Sequence, residues 1–172
     1  MAGDKYLDLA SGIITEKAST TTSAGAGDAG KIVGLNGSGQ VDLTMMPTGI
    51  GPDTLTVPAK EAIAAGAFVN LVLDTTLKAQ NADNTAASAA KACDGFVLTA
   101  QPTPGQNILV YLSGINNALS GLTPLGGVVW LGAAGASTTT APSASGYTSQ
   151  RIGKILTTGS IQFDLMDPIV LA

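Results

Sequence analysis

Asp74, Asn81, Asp83, Asn84 and Asp94 place hard oxygen donors within one stretch of the chain. Calcium gathers about six to eight such oxygens from loops. No loop signature orders these residues, so solvated loop polars are the simpler reading, with a calcium site left open. Gly25 to Ile32, GAGDAGKI, has Gly25, Gly30 and Lys31 at the spacing of a phosphate-binding loop. The hydroxyl residue that would hold magnesium is replaced by Ile32, and a Thr-rich stretch stands where a strand should precede the loop. Ser88-Ala-Ala-Lys91 matches the Ser-x-x-Lys of penicillin-recognising enzymes, without the partner motifs. The chain has no histidine and a single cysteine, Cys93. Ser-His-Asp and Cys-His catalysis in their usual forms are thereby removed, as is a zinc cage. Cys93 reads as a small buried hydrophobe. Glu16 and Glu61 are the only glutamates, and Asp164 and Asp167 are the carboxylates an acid–base enzyme would have to use. The expectation is a binding protein and not an enzyme, with no catalytic residue, cofactor or metal.

Charge narrows the partners. Charged residues make up only 12% of the chain and the net charge is −4. No basic cluster marks a nucleic-acid surface, so no nucleic-acid partner is expected. Low charge with positive mean hydropathy argues against a disordered chain. It also leaves a surface poor in charge, which suits a protein packed against copies of itself. The N-terminal MAGDKYLDLASG lacks the apolar run of a signal peptide, and no window approaches the length of a spanning helix. A soluble protein made in the cytoplasm, with no membrane partner, is the expectation.

The elements that must position any surface are short strands. Lys5 to Ile14 carries Tyr6, Leu7, Leu9, Ile13 and Ile14 around Gly12, and reads either as an arm ordered by docking or as a locally packed segment. Lys17 to Gly30 is linker-like. Lys31 to Leu35 and Gln40 to Leu43 flank the turn Asn36-Gly37-Ser38-Gly39, which predicts a β-hairpin over Ala29 to Thr44. Met45, Met46 and Pro47 end it, the Met pair serving as docking patch or as filler. Further strands are predicted at Thr54 to Val57, Phe68 to Leu73 (buried on both faces), Leu77 to Gln80 and Phe96 to Ala100. They continue at Asn107 to Leu112, Val128 to Leu131, Arg151 to Leu156 and Ser160 to Leu165. Pro58 to Gly66 is a loop or a single helical turn, and Ala-rich Asn84 to Ala92 is helix-capable. Strands at this spacing with Gly, Pro and Asn punctuation predict an all-β chain: an antiparallel β-sandwich or barrel-like body, residues 51–172, behind an extended N-terminal arm with hairpin, residues 1–50.

Three stretches carry a resemblance. Gly126 to Ala172 runs from a short strand ending in Leu-Gly, through Thr-rich sequence into Ala-Pro, to an Arg-Ile-Gly-Lys strand and an aromatic-centred strand. DAGKIVGLNGSGQVDLTMMP is similar to a module of phage fibre and head proteins that joins an attachment arm to a body. LTVPAKEAIAAGAFVNLV with ACDGFVLTA and NILVYLSG follows the same body pattern. Together, over about half of the chain, they resemble the capsid cement, or head-decoration, proteins of tailed bacteriophages. The resemblance implies a structural virion protein, made in the host cytoplasm, on the outer capsid surface. It would bridge neighbouring subunits of the major capsid protein, its partner, and form a homo-oligomer, a trimer first and a dimer next. A tail-fibre, head-fibre or baseplate component is the alternative. Tyr6, Leu7, Leu9, Ile13, Ile14, Met45 and Met46 would be the partner-binding residues of the arm. Arg151 and Lys154, on one strand, are interface residues or a solvated face. Trp130 is a core residue first and an interface anchor second.

Overall fold

The computed structural model describes residues 5–46, 53–85 and 91–172. The chain divides into two compact units, Met1–Gly51 and Pro52–Ala172.

The first unit is built on a hairpin that pattern reading misplaces. Strands β1 (Lys5–Ala10) and β2 (Ile13–Ala18) pair antiparallel, with Leu7 opposite Glu16 and Leu9 opposite Ile14. Ser11 and Gly12 connect them at φ of 55° and 79°. Two consecutive left-handed residues are what a tight two-residue hairpin turn demands. Gly12 is therefore the turn and not an interruption, and Lys5 to Ala18 is a hairpin where an arm running into a linker was expected. The hairpin expected over Ala29 to Thr44 does not form. Its turn closes: Asn36 Oδ1 accepts from the amides of Ser38 and Gln40, and the Gly39 amide donates to the Asn36 carbonyl. Its flanks do not pair. Val33 bridges Thr20 in parallel instead. Asp42 caps a short 3-10 turn over Leu43–Met45 by accepting from the Thr44 amide, which bends the would-be second strand away.

The second unit is all-β, and its paired strands run antiparallel. One sheet has the order β3-β7-β6-β4-β5, comprising β3 (Thr54–Pro58), β4 (Phe68–Leu73), β5 (Leu77–Asn81), β6 (Gly95–Phe96) and β7 (Asn107–Tyr111). The other strands are β8 (Gly114–Asn116), β9 (Val128–Leu131), β10 (Ser137–Thr138), β11 (Thr148–Ser149), β12 (Arg151–Thr157), β13 (Ser160–Phe163) and β14 (Ile169–Val170). A second sheet has the order β10-β9-β12-β13-β8, and β11 pairs with β14. The two five-stranded sheets share a core in sandwich fashion, without a closed barrel. Phe68 and Phe96 from the first sheet meet Val129, Leu131, Ile152, Ile155, Ile161 and Phe163 from the second. Phe163 lies with its ring centroid 6.2 Å from Phe68 and 5.2 Å from Phe96.

The first sheet also buries its other face. Val57, Val69, Ala79, Val97, Ile108 and Val110 pack there under Ala59, Ile63 and Ala67. Pro58 to Gly66 is thus the loop that covers this second core, not a helical turn. The two-sided burial expected of Phe68 to Leu73 holds at Phe68 and Val69 and fades until Leu73 is 77% exposed. In Asn107–Tyr111, Ile108 and Val110 face inward as alternation requires. Gly153 on β12 is needed for close approach: a Cβ there would sit 2.3 Å from the Gln162 carbonyl oxygen. The helix-capable stretch within Asn84 to Ala92 falls for the most part outside the described residues. Among the described residues no helix is long and apolar enough to cross a membrane.

Edges are treated differently in the two units. In the body, β8 and β10 end their sheet after three and two residues. At β5 the Lys60 amide donates to the Ala79 carbonyl and Glu61 accepts from the Asn81 amide, so that edge is occupied. Short or occupied edges protect a sheet from unwanted pairing.

Candidate functional site: apolar and mixed surfaces

The residues with the chemistry of an enzyme are dispersed. Asp74 is paired with Lys78 at 3.1 Å, which holds its carboxyl below the usual range. Asp94 accepts from Asn70 Nδ2 and the Leu71 amide. Asn84 is buried, its Nδ2 donating to the Leu131 carbonyl at 2.9 Å. Asp83 accepts from Thr85, and Asn81 donates to the Ala62 carbonyl. These oxygens are spent on the fold, and among the described residues no group of acidic, Cys or His side chains is arranged for a metal ion. Lys31 of the phosphate-loop near-match pairs with Asp28 at 2.6 Å, and a strand-like segment follows it, not a helix. That pair, with the Ala24 amide, lowers the Asp28 carboxyl. Ser88 lies outside the described residues. Asp164 is exposed and paired with Arg151 at 3.2 Å, and Asp167 is exposed. A groove of about 360 Å³ in the body is lined by Ala64–Ala67, Ala118–Ser120 and Ala134–Ser137, with serine hydroxyls as its only polar side-chain groups.

Cys93 is 1% exposed within the inter-sheet core, and burial pushes its thiol well above the ordinary range. Its Sγ donates to the Gly95 carbonyl at 3.3 Å. Thiolate chemistry needs exposure and a lowered pKa. Native protein is therefore expected to resist a thiol-disulfide reporter for as long as the fold holds, and to react stoichiometrically in strong denaturant. Rapid labelling of native protein would contradict this burial.

The surfaces are more informative. Residues opposite each other in the β1–β2 ladder share a face. Leu7, Leu9 and Ile14 therefore form one apolar face, 73%, 69% and 67% exposed, flanked by the Lys5–Glu16 ion pair. The other face carries Tyr6, the Asp8–Lys17 ion pair and Ile13. Tyr6 is half-buried and lines a pocket with Lys5, Ser19 and Ile32–Leu35. Met45 is half-buried and lines a separate small pocket with Asp28, Lys31 and Val33, while Met46 is 40% exposed. The arm residues thus fall on two hairpin faces and two pockets. Ile32, Val33, Leu35 and Leu43, each more than half exposed, add apolar surface to this unit that sequence patterning did not single out.

In the body, register gathers Trp130, Arg151 and Lys154 on the outer face of the second sheet. Val129 and Leu131 take the core positions, so Trp130 faces outward and is half-buried, and is not the core residue expected. Trp130 stands opposite Arg151. The next row reads Val128, Lys154, Gln162, Ile115 across four strands. Met166 approaches Arg151, its sulfur 3.8 Å from Nη1.

No protein-family model matches the chain, and no curated protein matches it in sequence. Among solved structures, the chain is similar to the N base of the head fiber protein gp8.5 of bacteriophage phi29. The likeness has a TM-score of 0.45 and 13% identity, and covers 68% of this chain and 99% of that one.

Proposed function

We propose that this chain is a structural virion protein of a tailed phage, acting by binding and not by catalysis. In this reading it attaches to the outer surface of the capsid and bridges neighbouring major capsid subunits. The observation that carries the proposal is the β1–β2 hairpin. A two-stranded hairpin is marginal by itself in water and needs a further layer or strand to be stable. This one exposes Leu7, Leu9 and Ile14 on a single face, and it is longer than the guarded edge strands of the body. Such a face suits docking on an apolar seam of a large partner. The sequence resemblance to cement proteins names the partner. A head-fibre, tail-fibre or baseplate role is the second reading, favoured by the arm-to-body module, and it uses the same hairpin.

Copy number separates the two. A C-terminal tag counted on purified particles should give hundreds of copies over the head for a cement protein, and a few multiples of three or six for a fibre or baseplate part. Absence from particles would end both readings. The hairpin is tested by replacing Leu7, Leu9 and Ile14 together with Asp. Burying such side chains contributes roughly 1.5–3 kcal/mol each, so capsid binding should weaken at least about 100-fold. Unaltered binding by this variant would refute docking through the hairpin.

A further inference from the structure

We propose that Asn36 is a self-modifying site, its side-chain amide converted by the neighbouring backbone and water to aspartate and isoaspartate with release of ammonia. The reaction needs a free main-chain nitrogen that can attack the side-chain carbonyl of the residue before it. It also needs that carbonyl polarised, and a leaving amine that nothing holds. The turn Asn36-Gly37-Ser38-Gly39 supplies all three. Glycine follows Asn36 and no other asparagine of the chain. Gly37 is exposed, its amide donates to no group among the described residues, and nothing lies within 4 Å of the position a Cβ would take. Asn36 Oδ1 accepts from the Ser38 amide at 2.9 Å and from the Gln40 amide at 3.1 Å. A side chain bonded to the amide two residues on folds back over the peptide between them, which brings Cγ toward the Gly37 nitrogen. Asn36 Nδ2 donates to no group among the described residues. The other asparagines are set differently. Asn70, Asn81, Asn84 and Asn116 commit Nδ2 to backbone carbonyls. Asn107 and Asn117 precede Ile108 and Ala118, whose side chains screen the attacking nitrogen.

The step balances with water alone. The Gly37 nitrogen loses its proton to solvent hydroxide and bonds to Asn36 Cγ, and the carbonyl oxygen becomes an oxyanion on which the Ser38 and Gln40 amides already bear. A hydrogen bond to an anion is about twice as strong as one to a neutral acceptor, so donors fixed where charge develops favour the transition state over the ground state. The Cγ–Nδ2 bond then breaks, the nitrogen takes a proton from water, and ammonia leaves a cyclic imide. Water opens the imide at either carbonyl. Aspartate results where the new bond breaks, and isoaspartate where the original Asn36–Gly37 bond breaks. Either product adds a negative charge to a chain of net charge −4. Isoaspartate also inserts a methylene into the main chain. That misaligns the bonds closing the turn, from the Asn36 amide to the Gln40 carbonyl at 2.8 Å and from the Gly39 amide to the Asn36 carbonyl at 2.9 Å. The conversion runs one way, so the turn ages with the protein, between segments that expose Ile32, Val33, Leu35 and Leu43.

The test uses purified full-length protein, so its outcome is independent of capsid attachment. Samples held at mildly alkaline pH and physiological temperature are digested at intervals and mapped by mass spectrometry. The peptide carrying Asn36 should convert to the acid ahead of every other asparagine-containing peptide, with both isomers separated by chromatography. Conversion should be about tenfold faster in the native protein than in the same chain unfolded in guanidinium, where the two amides no longer bear on Oδ1. Gly37→Ala, which the open space around Gly37 accommodates, should slow it about tenfold or more. Near-ultraviolet circular dichroism shows that this variant keeps its tertiary packing. No conversion at Asn36, earlier conversion of another asparagine, a native rate no higher than the unfolded one, or an undiminished rate in Gly37→Ala would overturn the proposal.

Discussion

Replacing Phe163 by alanine is expected to destabilise the body by about 3–5 kcal/mol. The ring is 6% exposed on β13 and lies between two rings from the opposite sheet, Phe68 and Phe96. It is edge-on to Phe96, with 60° between the planes, an arrangement that contributes beyond area alone. Ile155 and Ile161, which share its core, face each other across the β12–β13 ladder and have little freedom to close the gap. Large cavities left by such truncations cost most where the walls cannot collapse. Set against the roughly 5–15 kcal/mol of a typical domain, the variant should be near its folding threshold. Urea unfolding followed by Trp130, the sole tryptophan, measures the loss. A cost below about 1.5 kcal/mol would mean that Phe163 does not bridge the sheets.

Period-two alternation makes the long body strands legible in the sequence. Asn107 to Leu112, Val128 to Leu131 and Arg151 to Leu156 are all strands at or near those bounds. Alternation says which residues share a face, but not which face a second sheet will cover. Trp130 reads as a core residue first and an interface anchor second, but Val129 and Leu131 occupy the core and Trp130 faces outward. The Ser11-Gly12 turn was hidden because serine is seldom left-handed and Gly12 alone does not announce a two-residue loop. Conversely, Asn36-Gly37-Ser38-Gly39 is a true turn, yet a turn closes a hairpin only if its flanks have ladder partners, and Asp42 diverts one flank. Strands β8, β10 and β11 are two or three residues long and depend on their neighbours for their existence, so no local pattern marks them. Of the candidate surfaces, the identities of the hairpin apolars were readable. Their division between two faces needed the register, as did the row that puts Lys154 between Val128 and Gln162.

Gln150→Leu should be the most damaging polar replacement, at about 3–5 kcal/mol. Gln150 is 2% exposed. Its Oε1 accepts from the Cys93 amide at 2.7 Å, and its Nε2 donates to the carbonyls of Cys93 and Met166, both at 3.1 Å. One side chain therefore completes the backbone pairing of the segment before β6 and of the strap that follows β13. Leucine fills the same space but leaves those backbone groups without the amide, and each costs roughly 1–3 kcal/mol when it is buried and unpaired. Gln150→Glu separates packing from hydrogen bonding. A carboxylate keeps the acceptor for the Cys93 amide, loses the donor, and sets a buried negative charge against two carbonyl oxygens. Its folded-state pKa must then lie above the unfolded value of about 4.3. The folded protein binds the extra proton, so stability is closest to the parent below about pH 4 and falls as the pH rises through the folded pKa. The difference between Gln150→Glu and the parent, measured by urea unfolding at several pH values, should therefore widen from acid to neutral pH, while that for Gln150→Leu stays flat. A pH-independent deficit in the glutamate variant would show that the amide's donor is not what holds Cys93 and Met166 in place.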